Sequence, residues 1–200
     1  LAGVAADIEA SAAGIEAQLA RIIQEEKDAL RGALQAAIAL HATRERDVLV
    51  DTLSRGRAPR VWTHEGVALR RALAATFREA FEKAAWRLTS FHARVVPELH
   101  KLMHTLVPQP DLVDHGGGEA LVIPTPAVTP LSRLLVLDLK SAGWSAFWSR
   151  QPSPESSGAK IEALIRAEFA PIADELVQLA ARAFHDFSTT TIRWSFAACR

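Results

Sequence analysis

LAGVAADIEASAAGIEAQLARIIQEEKDALRGALQAAIALHATRERDVLVDTLS, residues 1–54, is the stretch that decides the fold. No proline interrupts it. Its apolar positions, Leu1, Val4, Ile8, Ala12, Ile15, Leu19 and Ile22, then Leu30, Leu34, Ile38, Leu49 and Leu53, recur at three- and four-residue steps. That period keeps side chains on one face of an α-helix. At ~1.5 Å per residue such a helix spans roughly 80 Å, about twice the diameter a compact chain of this size would have, so the expected shape is a rod. Gly3, Gly14 and Gly32 each cost up to ~1 kcal/mol against Ala, which places the stability of those turns on packing, and the small residues around them permit close helix approach. The run Ser54-Arg55-Gly56-Arg57-Ala58-Pro59 ends the helix with a glycine, basic residues and a proline.

Two further stripes follow the same logic. Thr63 is an N-cap candidate, and Leu69, Leu73, Phe77, Phe81 or Ala80, Ala84, Leu88, Phe91, Val95, Leu99, Leu102 and Leu106 predict a helix over about 64–107 that keeps its phase across Pro97. Ser153-Pro154-Glu155 supplies a cap, a first-turn proline and an acidic residue. Ile161, Ile165, Phe169, Ile172, Leu176, Leu179, Ala183 and Phe187 then predict a third helix over about 154–199, with Pro171 inside it. The fold class expected is all-α: an elongated antiparallel bundle of three long helices, with room for a missing fourth, forming one stalk-like domain over 1–200. Apolar register reaches both ends of the chain, so the sequence reads as a segment of a longer protein.

Composition narrows the function. Lys plus Arg and Asp plus Glu each total 23 of 200 residues, and a net charge of zero gives no general attraction to nucleic acid. The single cysteine, Cys199, suits a reducing compartment, with cytoplasm the expectation. The longest apolar stretch, Ala120 to Ser132, holds Pro124, Pro126 and Pro130 and is too short to span a bilayer.

Between the second and third stripes, residues 108–150 contain five prolines and the triple glycine Gly116, Gly117 and Gly118. The glycines are followed by Glu119 and prolines, so they read as a hinge and not a phosphate cradle. The part through Pro130 reads as a flexible, then polyproline-like arm. Beyond it, if helical, Trp144, Phe147 and Trp148 stand at i, i+3 and i+4 on one face. They either cap the bundle core or form a tip that inserts weakly at a membrane surface. Three aromatics at ~1.5–3 kcal/mol each would hold a bilayer only reversibly, so useful binding would need linked copies.

No catalytic constellation stands out. His100 and His104, with His92 two turns earlier, lack a convincing partner set for a metal. His64-Glu65-Gly66 lacks the second His of a zinc-protease helix, and Ser145 lacks a Gly-x-Ser-x-Gly elbow. Arg55, Arg57 and Arg60 are explained by helix termination. Glu25, Glu26, Lys27 and Asp28 read as a solvated face.

The stretch Leu137-Asp138-Leu139-Lys140, then Gly143-Trp144 and Trp148, then Ile161-Glu162-Ala163-Leu164-Ile165-Arg166, resembles the C-terminal helical region of bacterial dynamin-like GTPases. That resemblance implies a self-assembling stalk with a lipid-facing tip at Trp144, Phe147 and Trp148, cytoplasmic or peripheral at the inner membrane. GTP and Mg would belong to a GTPase domain outside this segment, which itself carries no cofactor, metal or catalytic residue. On this view the first helix comes back, the second goes out to the tip and the third returns. The rival readings are a helical scaffold or coiled-coil module that binds protein and never lipid, and a helical metalloenzyme using His92, His100 and His104.

Overall fold

Among the described residues there are three long helices: α1, Ala2–Ser54; α2, Val67–Leu106; and α3, Pro154–Ala197. A computed structural model describes residues 2–54, 66–106, 122–132 and 154–197, and among these there is no strand. α1 is the uninterrupted helix its period predicts. α2 continues through Pro97, and α3 begins at Pro154, where a missing N–H costs nothing, and runs through Pro171. Thr63, Arg55, Arg57, Arg60, His64 and Glu65 lie outside the described residues, as do Gly116, Gly117, Gly118, Ser145, Trp144, Phe147 and Trp148.

The chain sorts into two compact units, each built from a segment of every helix. The first holds residues 1–28, 81–126 and 179–200, and the second holds 29–80 and 127–178. In the first, Leu19 and Ile22 of α1, Ala84, Leu88 and Phe91 of α2, and Ala180 of α3 are buried. The Phe81 and Phe184 rings stack there at 4.9 Å between centroids and 18° between planes. In the second, Leu30, Leu34 and Ile38 are buried with Leu69, Leu73 and Phe77, and with Ile161, Ile165, Phe169 and Leu176. Polar contacts there tie α1 to α3. Arg31 Nε lies 3.6 Å from Asp174, His41 sits edge-on to Phe169 at 6.3 Å, and Glu162 accepts from Thr43 at 3.2 Å and from Arg46 at 3.4 Å. Arg166, one turn on, donates to the same carboxylate.

These pairs give the helix directions. Along α1 from Arg31 to Arg46, the partners on α3 fall from Asp174 to Glu162, so α1 and α3 are antiparallel. α2 pairs with α3 in increasing order on both, Phe81 with Phe184 and His92 with Phe187, so these two run the same way. The expected return of the third helix against the second is therefore not found. The reason lies in the connection. Short loops force antiparallel neighbours, but the chain between α2 and α3 is long enough to go back before the next helix starts. The part of it that is described does so: residues 122–126 belong to the first unit, with Ile123 buried, and residues from 127 to the second, with Leu131 buried. After residues 122–128, which have no helix or strand, a 3₁₀ turn at Thr129–Ser132 seats Leu131.

One finer expectation also fails. On α3 the predicted seam positions Ile172, Leu179 and Ala183 are only half-buried, while Ala173, Val177, Ala180 and Phe184 are buried. Leu176 and Val177 are both fully buried although ~100° apart around the helix, so α3 is enclosed on two sides and its apolar face is wider than one seam. At Gly14 and Gly32 a Cβ would meet nothing within 4 Å, so neither glycine marks a close helix approach.

The phase of α3 is testable. Phe184→Ala removes a fully buried ring and should cost ~3–5 kcal/mol in urea unfolding, with Leu179→Ala, half-buried, costing clearly less. Equal costs would restore the narrow seam through Leu179.

Candidate functional site

In the first unit α1 and α2 border an open groove of about 290 Å³. Its walls are Gln18, Arg21 and Ile22 from α1 and Trp86, Arg87, Ser90, Phe91 and Arg94 from α2. Helical geometry explains the lining. Phe81, Ala84, Leu88 and Phe91 form the buried row of α2, and Trp86, two residues before Leu88, is turned ~200° away from it at ~100° per residue. The indole is 71% exposed, the most of any large hydrophobic among the helix side chains that are described.

Charge surrounds it unevenly. Arg87 donates from Nη1 to Glu26 and from Nη2 to Glu25, each at 2.6 Å. Those bonds, Glu26 first and Glu25 second, raise the guanidinium pKa above its ordinary value. Glu26 is only 7% exposed, so the acidic run read as a solvated face is in part a structural clamp: the carboxylate is buried because Arg87 reaches it. Arg21 meets Glu25 only at 3.8 Å, with both side chains open to solvent. Arg94 lies over the Phe91 ring, its guanidinium carbon 5.6 Å from the centroid, a cation–π contact. The groove thus joins an exposed indole, an apolar floor of Ile22 and Phe91, and three guanidiniums against two carboxylates.

Aromatic and arginine side chains of this kind bind; nothing beside them is arranged as a nucleophile with its base. Of the predicted metal candidates, His92 is half-buried against the Phe187 ring at 5.9 Å, and burial holds its pKa below the usual imidazole value, favouring the neutral form. The side chains of His100 and His104 lie outside the described set. No group of three His, Cys, Asp or Glu side chains capable of holding a metal occurs among the described residues. No helix there is long and apolar enough to cross a membrane.

Reading the sequence for stripes passed over Trp86. The available signal was its position: a tryptophan between two stripe residues, Ala84 and Leu88, with Arg87 beside it, has to point outward.

The clamp and the looser pair should separate experimentally. Arg87→Ala strands the Glu26 carboxylate and should lower stability by ~1–3 kcal/mol, discounted for the partial exposure of Arg87. Arg21→Ala should stay within ~0.5 kcal/mol. Chemical denaturation of both variants checks this, and similar losses would mean that Glu26 does not depend on Arg87.

No protein-family model matches the chain, and the comparisons with curated proteins and with solved structures give no match either.

Proposed function

We propose that this chain is a helical interaction module, a scaffold that acts by binding and carries no chemistry of its own. The observation behind this reading is Trp86, 71% exposed in a groove with three arginines. Burying a large apolar side chain is worth ~1.5–3 kcal/mol, and here that gain is left for a partner. Tryptophan and arginine are also the residues that dominate interface energetics. The experiment is to place a photo-reactive amino acid at Ser90, on the groove wall, and irradiate cells producing the chain. A covalent adduct with a polypeptide that falls off sharply in Trp86→Ala is expected. No adduct with any polypeptide would end the reading.

The stalk of a dynamin-like GTPase is a narrower form of the same proposal. Helix length supports it, at 53, 40 and 44 residues for α1, α2 and α3. Its tip geometry has less support, because α3 runs with α2 instead of returning beside it. Self-assembly fits either form; lipid contact through Trp144, Phe147 and Trp148 belongs only to the stalk. Co-sedimentation with anionic liposomes, reduced by Trp144→Ala plus Trp148→Ala, is the expected outcome if the tip binds lipid. Unchanged binding by that double variant rejects it.

A further inference from the structure

We infer that the partner of the Trp86 groove is an acidic polypeptide segment, one that offers carboxylates to Arg21 and Arg94 and lays an apolar side chain against the indole. This builds on the reading of the groove as a docking site and names the chemistry of what docks. The groove lining contains three guanidiniums and no carboxylate. Glu25 and Glu26, which are not among the lining residues, are bound to Arg87 at 2.6 Å, and counting both against the three arginines leaves +1. Charges farther out come as neighbours of opposite sign: Lys27 with Asp28 on α1, and Arg78 with Glu79, Glu82 with Lys83 and Glu98 with Lys101 on α2. Glu16 is left over, but it lies ~160° around α1 from Gln18, away from the groove wall.

The three arginines are not equivalent. Arg87 has both Nη atoms committed to Glu25 and Glu26, so it builds the wall and recognises nothing further. Arg94 is exposed and meets only the Phe91 ring among the described residues, a contact that steadies the guanidinium and leaves its N–H groups for an acceptor. Arg21 sits 3.8 Å from Glu25 with its own side chain 73% exposed. It can leave that carboxylate without stranding it, since Glu25 keeps Arg87 at 2.6 Å. Two cations, one from each helix, are therefore open to a partner beside the indole and the apolar floor.

Size and charge select the class of partner. At about 290 Å³ and open to solvent, the groove falls just short of the ~300–1,000 Å³ clefts that enclose a small molecule, and a ring 71% exposed on its wall calls for a broader surface. A polyanion such as single-stranded nucleic acid gains affinity from many cations along its backbone, and two are too few. A basic segment would meet three guanidiniums at close range. What remains is a polypeptide with a carboxylate or two next to an apolar side chain, which arginine binds through paired hydrogen bonds.

Fluorescence anisotropy with the full chain and three short labelled peptides tests this. The peptides share one helical framework with leucine at three- and four-residue steps and differ only in the residues beside the leucines, which are glutamate, glutamine or lysine; a labelled single-stranded oligonucleotide is the fourth ligand. The glutamate peptide should bind at least about tenfold more tightly than the glutamine peptide, and the lysine peptide more weakly than either. Added salt should shrink the first difference. Trp86→Ala should weaken the glutamate and glutamine peptides alike, whereas Arg21→Gln with Arg94→Gln should bring the glutamate peptide down to the level of the glutamine one. All three positions are exposed, and thermal unfolding checks that the variants stay folded. Equal binding of the glutamate and glutamine peptides, a preference that survives the double arginine variant, tighter binding of the oligonucleotide, or failure of all three peptides to bind each overturns the inference. So does an adduct from the photo-reactive residue at position 90 with a segment, of another protein or of a second copy, that carries no Asp or Glu within a turn. The docking reading is judged apart from these: any polypeptide adduct lost in Trp86→Ala keeps it, with a partner of other chemistry, and the absence of one ends it.

Discussion

Helices of 40 to 53 residues hold together here through burial of one continuous apolar face on each. A helix gains little from propensity alone, and α1 contains Gly14 and Gly32, each about 1 kcal/mol worse than alanine with no packing contact in return. What offsets that cost is the row from Leu19 to Leu49, closed off by α2 and α3. The same burial lets Pro97 and Pro171 sit inside long helices, although each removes a backbone hydrogen bond.

Enclosure of α3 on two sides has consequences for the rest. A helix with a single seam buries one narrow side of each turn, whereas α3 buries Leu176 and Val177 together and places Phe184 against Phe81. α1 and α2 are left with outward faces. Along those faces, among the described side chains, the large hydrophobic ones standing exposed are Trp86, Leu40 and Val48. Single exposed apolar residues are ordinary. Trp86 differs because its neighbours are organised: Arg87 is locked by two carboxylates at 2.6 Å, which fixes the groove wall before anything binds. A wall held in place beforehand loses little side-chain freedom on binding, and that loss is one of the main costs of association.

Much of the fold was legible in the sequence, for a physical reason: apolar periodicity is a local property, and it located α1, α2 and α3 to within a few residues. Properties that depend on which helices meet were less legible. The direction of α3 turned on the long connection, and its buried face could not be known to be wide without knowing that it has two neighbours. Glu26 illustrates the same gap. In a run of Glu25, Glu26, Lys27 and Asp28 nothing local distinguishes the second acid, and only Arg87, 61 positions away, makes it a buried ion-pair partner. The site itself was half legible, because Trp86 is off the stripe by simple angle counting, while the arginines that surround it come together only when α1 lies against α2.

The energetics of such a site favour many weak contacts over one strong one. A single indole supplies only about 1.5–3 kcal/mol on burial, less than association loses in translational and rotational freedom. One contact of this size therefore forms and breaks readily. A lone exposed ring also falls short of the contiguous apolar patch that drives aggregation. A partner that holds more firmly must therefore bring contacts beyond the indole, and the arginines around it are the side chains placed to supply them.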